Sequence, residues 1–223
     1  MKPNDIPENF KVIKPWGSEY TIYKNLITST KLLNIEYNQS TSLHCHPQKK
    51  TGFILISGKV DINLGFYNTK KLESVSRIMI RPGLFHSTKN LDKKTATILE
   101  IETPIDVDDL VRFKDEYGRE NKPYEDKNSM IKLSNEDPVF EDPELNGMKS
   151  YIVDGVSIII NKTNNIETLK NSKKDSIFVI LEGGLVSKNS KYVLSPGDIV
   201  GMDTIEKLTE VFKIKKSITY LNI

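Results

Sequence analysis

Apolar positions recur with a period of two along most of this chain, the spacing at which successive side chains fall on opposite faces of a strand. Over residues 95–102 the alternation puts Ala96, Ile98, Glu100 and Glu102 on one face and Thr97, Leu99 and Ile101 on the other. Residues 31–37 and 60–66 alternate in the same way, and residues 76–80 make a further short strand that turns at Pro82-Gly83. Residues 53–57 are instead apolar almost throughout and end at Gly58, the pattern of a buried strand. Upstream, residues 1–9 read as a polar arm, Lys14-Pro15-Trp16-Gly17 leads into a β-rich segment through Tyr23, and Asn38-Gln39-Ser40 is a turn. Short strands at this spacing, broken by turn residues, predict an all-β sandwich or barrel.

The pattern changes at Thr103-Pro104. Thr103 is an N-cap candidate, Pro104 suits a first helical turn, and Asp106, Asp108 and Asp109 follow, so the spacing predicts a helix that runs to about Tyr117 and stops at Gly118. Residues 119–147 are polar and punctuated by Pro123, Pro138 and Pro143, which reads as a connector. From Lys149 the β pattern resumes. Phe178-Val179-Ile180-Leu181-Glu182-Gly183 echoes Phe53-Ile54-Leu55-Ile56-Ser57-Gly58, and Leu194-Ser195-Pro196-Gly197-Asp198-Ile199-Val200 echoes Ile80-Arg81-Pro82-Gly83-Leu84-Phe85-His86. These echoes form a weak internal repeat. They divide the chain into a first barrel (1–103), a helix and connector (104–148) and a second, degenerate β domain (149–223).

Composition narrows the partners. Among 223 residues, 32 basic and 30 acidic side chains give a net charge of +2, interleaved and without a basic block, which argues against a nucleic-acid partner. Cys45 is the single cysteine, so no disulfide forms within the chain. No run approaches the length of a membrane span and the first residues carry no apolar core, so a cytoplasmic protein without a membrane partner is expected.

The chain has three histidines, His44, His46 and His86. The first two stand at i and i+2 on a strand and point the same way, so both can reach one ion, and a third from a neighbouring strand would complete a facial set with open positions. Neutral imidazoles suit Zn, Mn, Ni or Fe. The same alternation sends Cys45 to the opposite face as a small core residue, and Trp16 reads as a packing aromatic.

These pieces resemble the cupin family. His44 and His46 match the histidine pair of its first motif and Gly58 its closing glycine; Gly83, His86 and Asn90 match its second motif. Asn38 stands in a glycine slot, where it tolerates a left-handed turn. Arg81 stands in the proline slot, and Thr51 in the slot of the motif's glutamate. The resemblance implies a cupin double-stranded β-helix (jelly-roll) fold, with the whole chain similar to a bicupin whose second copy has lost its histidines. It implies a metal held by His44, His46 and His86, with Gln48 or water in the remaining position.

Lys14-Pro15-Trp16-Gly17 and the run from Ile98 to Pro104 look like the mannose-6-phosphate isomerase-like branch of sugar-phosphate cupins. That likeness implies aldose–ketose isomerisation or epimerisation by an enediolate route on a carbohydrate or sugar phosphate. Glu100 and Glu102 are then the candidate catalytic carboxylates, and Lys49, Lys50 and Arg81 the candidate substrate-binding cations. Two other readings stay open, a three-histidine iron dioxygenase and a non-catalytic ligand-binding cupin. By analogy with the fold, whose sheet edges pair between subunits, a homodimer is expected.

Overall fold

The computed structural model describes residues 9–118 and 129–223, and these fall into two compact units. The first comprises the chain up to Lys24 together with Ser29–Asp137; the second comprises Asn25–Thr28 together with Pro138–Ile223.

The first unit is two facing antiparallel sheets. Its strands are β1 (Phe10–Lys14), β2 (Gly17–Lys24), β3 (Ser29–Ile35), β4 (Leu43–Cys45), β5 (Lys50–Ser57), β6 (Lys59–Leu64), β7 (Asn68–Glu73), β8 (Ser76–Ile80), β9 (His86–Asn90), β10 (Ala96–Thr103), β11 (Val111–Lys114) and β12 (Met130–Lys132). One sheet runs β12-β1-β2-β3-β10-β5-β8 and the other β11-β4-β9-β6-β7. Leu33, Ile35, Phe53, Leu55, Ile80, Ala96 and Ile98 of the first meet Val60, Ile62 and Leu72 of the second in a buried core closed by Trp16. This is an all-β arrangement of the kind the alternation predicts, and the double-stranded β-helix that the cupin resemblance implies.

Register decides what lies between the sheets. In β10, Ile98 pairs with Leu33 and Leu55, while Glu100 pairs with Lys31 and Phe53. The inward face of β10 therefore begins in the core, at Ala96 and Ile98, and ends in carboxylates. Asn38, read as a left-handed turn residue, has φ +59°, and Asn90 from the second motif donates to Ile35 O and Lys94 O, tying β9 to the opposite sheet.

The helix expected over residues 103–117 does not form. Thr103 ends β10, a turn follows, and residues 111–114 are β11, which pairs with β4 through Val111↔Cys45 and Arg112↔His44. The acids taken for a first helical turn fold back locally instead: the Asp108 N–H donates to Asp106 Oδ1, and Asp109 faces the loop before β5. Short polar side chains that compete for the backbone favour such turns over helix, and pairing to the edge of β4 settles the rest.

The second unit contains β13 (Gly147–Val153), β14 (Val156–Thr163), α1 (Glu167–Lys170), β15 (Ile177–Val186), β16 (Tyr192–Leu194), β17 (Ile199–Gly201), α2 (Met202–Val211) and β18 (Lys213–Asn222). Its strands form one antiparallel sheet, β13-β14-β18-β15-β16, with β17 alongside β15. It departs from the barrel expected of it. Met202, Ile205 and Leu208 on α2 pack with Phe178, Ile180, Ile218 and Tyr220, so a helix covers the sheet face that a second sheet would cover. The internal repeat survives in its turns: Gly58 and Gly183, and likewise Gly83 and Gly197, all take positive φ.

Candidate metal centre

Three strands and one loop bring the chemistry together. His44 on β4 pairs directly with His86 on β9, and Arg112 on β11 lies on the other side of His44. His46 follows β4 by one residue. The ring centroids lie 4.5 Å apart for His44 and His86, 5.2 Å for His44 and His46, and 5.8 Å for His46 and His86. One ring nitrogen from each lies within 4.8 Å of those of the other two.

Backbone carbonyls fix which nitrogen that is. His44 Nδ1 donates to Ser42 O at 2.8 Å, His46 Nδ1 to Asp109 O at 2.5 Å, and His86 Nδ1 to Leu84 O at 3.0 Å. With the proton held on Nδ1, each ring keeps its lone pair on Nε2, the arrangement that orients histidines toward a metal. His86 Nε2 is buried without a hydrogen-bond partner among the described residues, a lone pair that a metal ion would satisfy. All three rings are held neutral. Burial, reinforced by the closeness of the His86 and His46 rings, with which a second proton would have to share the site, keeps His44 well below its usual range; burial takes His86 down to about 4; burial also lowers His46. Neutral imidazoles crowded together in a buried site fit a divalent transition-metal ion such as Zn, Mn, Ni or Fe.

Opposite the histidines stand Glu100 and Glu102, both buried. Glu102 Oε1 lies 3.6 Å from His46 Nε2 and accepts from Lys49 Nζ at 3.0 Å, while Glu102 Oε2 lies 3.0 Å from Lys31 Nζ. Burial opposes ionisation of Glu102, but the Lys31 and Lys49 ammonium groups outweigh it and hold the carboxyl well below the usual range. Glu100 has the opposite fate: burial, reinforced by the Glu102 charge, pushes it up to about 8. Two carboxyls on one strand face thus sit in different protonation states at neutral pH.

These groups line a cavity of about 120 Å³ bounded also by Lys14, Trp16, Phe53, Thr88 and Arg112. The structure brings His44, His46, Lys49, Glu100 and Glu102 to it, with His86 beside its histidine partners. It does not bring Gln48, Lys50 or Arg81 there. Gln48 is exposed, with its backbone N–H turned to Asp109; Lys50 alternates with the inward Thr51 and so faces away; Arg81 is exposed at the turn, where its Nη1 donates to Pro82 O. Lys31 and Arg112 line the cavity, where Lys50 and Arg81 were expected. Trp16, read as packing, does pack in the core and also lines the cavity wall.

Asp109 is the residue that sequence reasoning missed. Its carboxylate accepts the Gln48 N–H at 3.1 Å and the Lys49 N–H at 2.8 Å, and its carbonyl holds His46. The acid was visible in the sequence, but its partner lies 60 residues away, beyond any local pattern.

Comparison with known proteins follows the same outline. Over 111 residues the chain is 29% identical to the xanthan biosynthesis protein XanB of Xanthomonas campestris, covering 49% of this chain and 24% of that protein. Over 119 residues it is 26% identical to the alginate biosynthesis protein AlgA of Pseudomonas putida, covering 52% and 24%. The chain thus spans about a quarter of the length of these relatives. Among solved structures, the capsular polysaccharide assembling protein CapF of Staphylococcus aureus aligns with a TM-score of 0.44 at 16% identity, over 47% of this chain and 34% of that one. Residues 3–115, just over half of the chain and the part that carries every histidine, match the family described as mannose-6-phosphate isomerase C-terminal, and the chain belongs to that cupin-type family.

Proposed function

We propose that this chain is a divalent-metal-dependent cupin that moves a proton between adjacent carbons of a sugar or sugar phosphate. The reaction is an aldose–ketose isomerisation or epimerisation that feeds carbohydrate and polysaccharide precursors. The observation that carries this reading is the clustering of three Nδ1-anchored histidines, two of which line the cavity, with two inward carboxyls on the cavity's wall.

His44, His46 and His86 would hold the ion, and a bound divalent ion polarises the carbonyl of a substrate beside it. The remaining work falls to this chain's own groups. Glu100 is the proton carrier: it lines the cavity and is not locked as an anion by a lysine pair, whereas Glu102 is. In its ionised form, which a carboxyl titrating at about 8 reaches near neutral pH, Glu100 takes a proton from the carbon next to the carbonyl. Isomerisation returns that proton to the former carbonyl carbon while the hydroxyl proton passes between the two oxygens, and epimerisation returns it to the same carbon, so the substrate as a whole is neither oxidised nor reduced. Lys14, Lys24, Lys31, Lys49 and Arg112 face the cavity against Glu19, Glu100, Glu102 and Asp106, and this cationic excess, larger while Glu100 carries its proton, suits a phosphate or carboxylate on the substrate. The sugar-polymer names of the relatives support the same substrate class.

The test is proton exchange followed by NMR in deuterated water, with metal-loaded protein and a panel of hexose and pentose phosphates that includes mannose 6-phosphate. Deuterium entering the carbon beside the carbonyl of at least one substrate, and failing to enter with Glu100→Gln, is the expected result. No exchange and no interconversion across the whole panel overturns the proposal.

A further inference from the structure

We infer that Glu102 supplies the carboxylate ligand of this metal centre, reaching across from the neighbouring strand to a place that Thr51 leaves without one. This rests on the metal reading above and extends it.

In the β5–β10 ladder, Thr51 and Glu102 are direct partners, and both face inward because Phe53 and Ile98 on the same faces lie in the core. Side chains of directly opposed strand residues stand about 5 Å apart at Cβ, so a carboxylate on Glu102 occupies the space beside the residue it opposes. Thr51 is 1% exposed, and its Oγ1 is buried without a hydrogen-bond partner among the described residues. A neutral hydroxyl is a poor ligand for a divalent ion, and this one engages nothing. Glu102 is 3% exposed and faces the ammonium groups of Lys31 and Lys49 at 3.0 Å each.

Position agrees with that role. Two ligand atoms bound about 2.1 Å from one ion at tetrahedral angles lie about 3.4 Å apart; Glu102 Oε1 stands 3.6 Å from His46 Nε2. His46 belongs to both groups of converging donors, one with His44 and His86 and the other with Glu100 and Glu102. The two lysines do not exhaust Glu102. Its two oxygens offer about four lone-pair directions, and Lys31 and Lys49 take one oxygen each, which leaves Oε1 able to accept a second partner. The lysines also keep the carboxylate ionised and fix its orientation, as outer partners of a metal ligand do.

Co²⁺ titration of the metal-free full chain tests this, read by calorimetry and by the visible d–d absorption, which reports ligand type and number independently of turnover. Glu102→Gln removes the charge; Glu102→Asp keeps the charge and a lysine partner but withdraws the carboxylate by one methylene. Both variants are expected to bind Co²⁺ at least tenfold more weakly than wild type and to show an altered d–d spectrum, while His44→Ala loses binding. If Glu102→Asp binds with wild-type affinity and spectrum, Glu102 contributes charge and not a ligand, and the inference fails while the three-histidine centre stands. If His44→Ala binds as wild type, the metal centre itself is overturned.

Discussion

Removing the Asp109 carboxylate tests how the centre is held in place. Two backbone donors end on that group, the Gln48 N–H at 3.1 Å and the Lys49 N–H at 2.8 Å, and Asp109 is 5% exposed. Hydrogen bonds to a charged acceptor contribute about 1.5–3 kcal/mol each. Water can reach Gln48 but not buried Lys49, so only one donor is left fully unsatisfied in Asp109→Ala. The cost is therefore about 3–4 kcal/mol, which for a chain of this size lowers the melting temperature by roughly 10 °C. Trp16 is the sole tryptophan and lies in the core of the first unit, so its fluorescence isolates the relevant transition. Asp109→Asn keeps one acceptor oxygen and is expected to lose about half as much. The alanine variant keeps the Asp109 backbone carbonyl that accepts from His46 Nδ1, so it is expected to weaken Co²⁺ binding only by loosening the position of that carbonyl, by less than the roughly tenfold or more that follows when an outer partner is itself removed. A Trp16 transition within about 1 °C of wild type, with unchanged metal affinity, refutes the reasoning.

Two predictions concern the second unit. A Cβ added at Gly183 would lie 2.0 Å from Ser217 O on a backbone with φ +71°, so Gly183→Ala is expected to cost about 2 kcal/mol or more in urea unfolding followed by circular dichroism; an unchanged midpoint refutes the close strand approach. Burial raises the Tyr220 hydroxyl from 10.0 to about 12, so the folded chain holds that proton more tightly than the unfolded chain does. Its stabilising contribution is complete below about pH 10 and is lost as pH rises through about 12. Tyr220→Phe should remove that part of the alkaline loss of stability, and identical alkaline profiles for the two proteins would contradict it.

Much of the first unit was legible because alternation reports directly on a sheet with one face in the core. Ala96, Ile98, Glu100 and Glu102 share a face as their spacing requires, and His44 and His46 reach the same cluster for the same reason. What was not legible depended on pairing between distant strands. Nothing local marks Lys31 as the partner of Glu102, because β3 and β10 meet only through the fold. Residues 103–117 carry the outward signs of a helix start, yet the edge of β4 and the backbone donors at 48 and 49 claim that segment. Helix α2 was hidden by the strand repeat that precedes it: Leu194 to Val200 echo the first half faithfully through the Gly197 turn, and the likeness ends where Met202 begins the helix.

The cupin resemblance located the histidines and, with Thr51 in the glutamate slot, left the fourth position to Gln48 or water. Gln48 sits in the loop between His46 and β5, and Asp109 draws the backbone of that loop inward, which leaves the Gln48 side chain in solvent. A substitution at one motif position, Thr51, is answered on another strand, which a linear motif cannot express.

If His44, His46 and His86 hold one divalent ion, elemental analysis of the native protein beside His44→Ala shows it. About one transition-metal ion per chain is expected in the native protein and none in the variant, with both folded by circular dichroism. A folded His44→Ala protein that retains the native metal content would contradict the three-histidine centre.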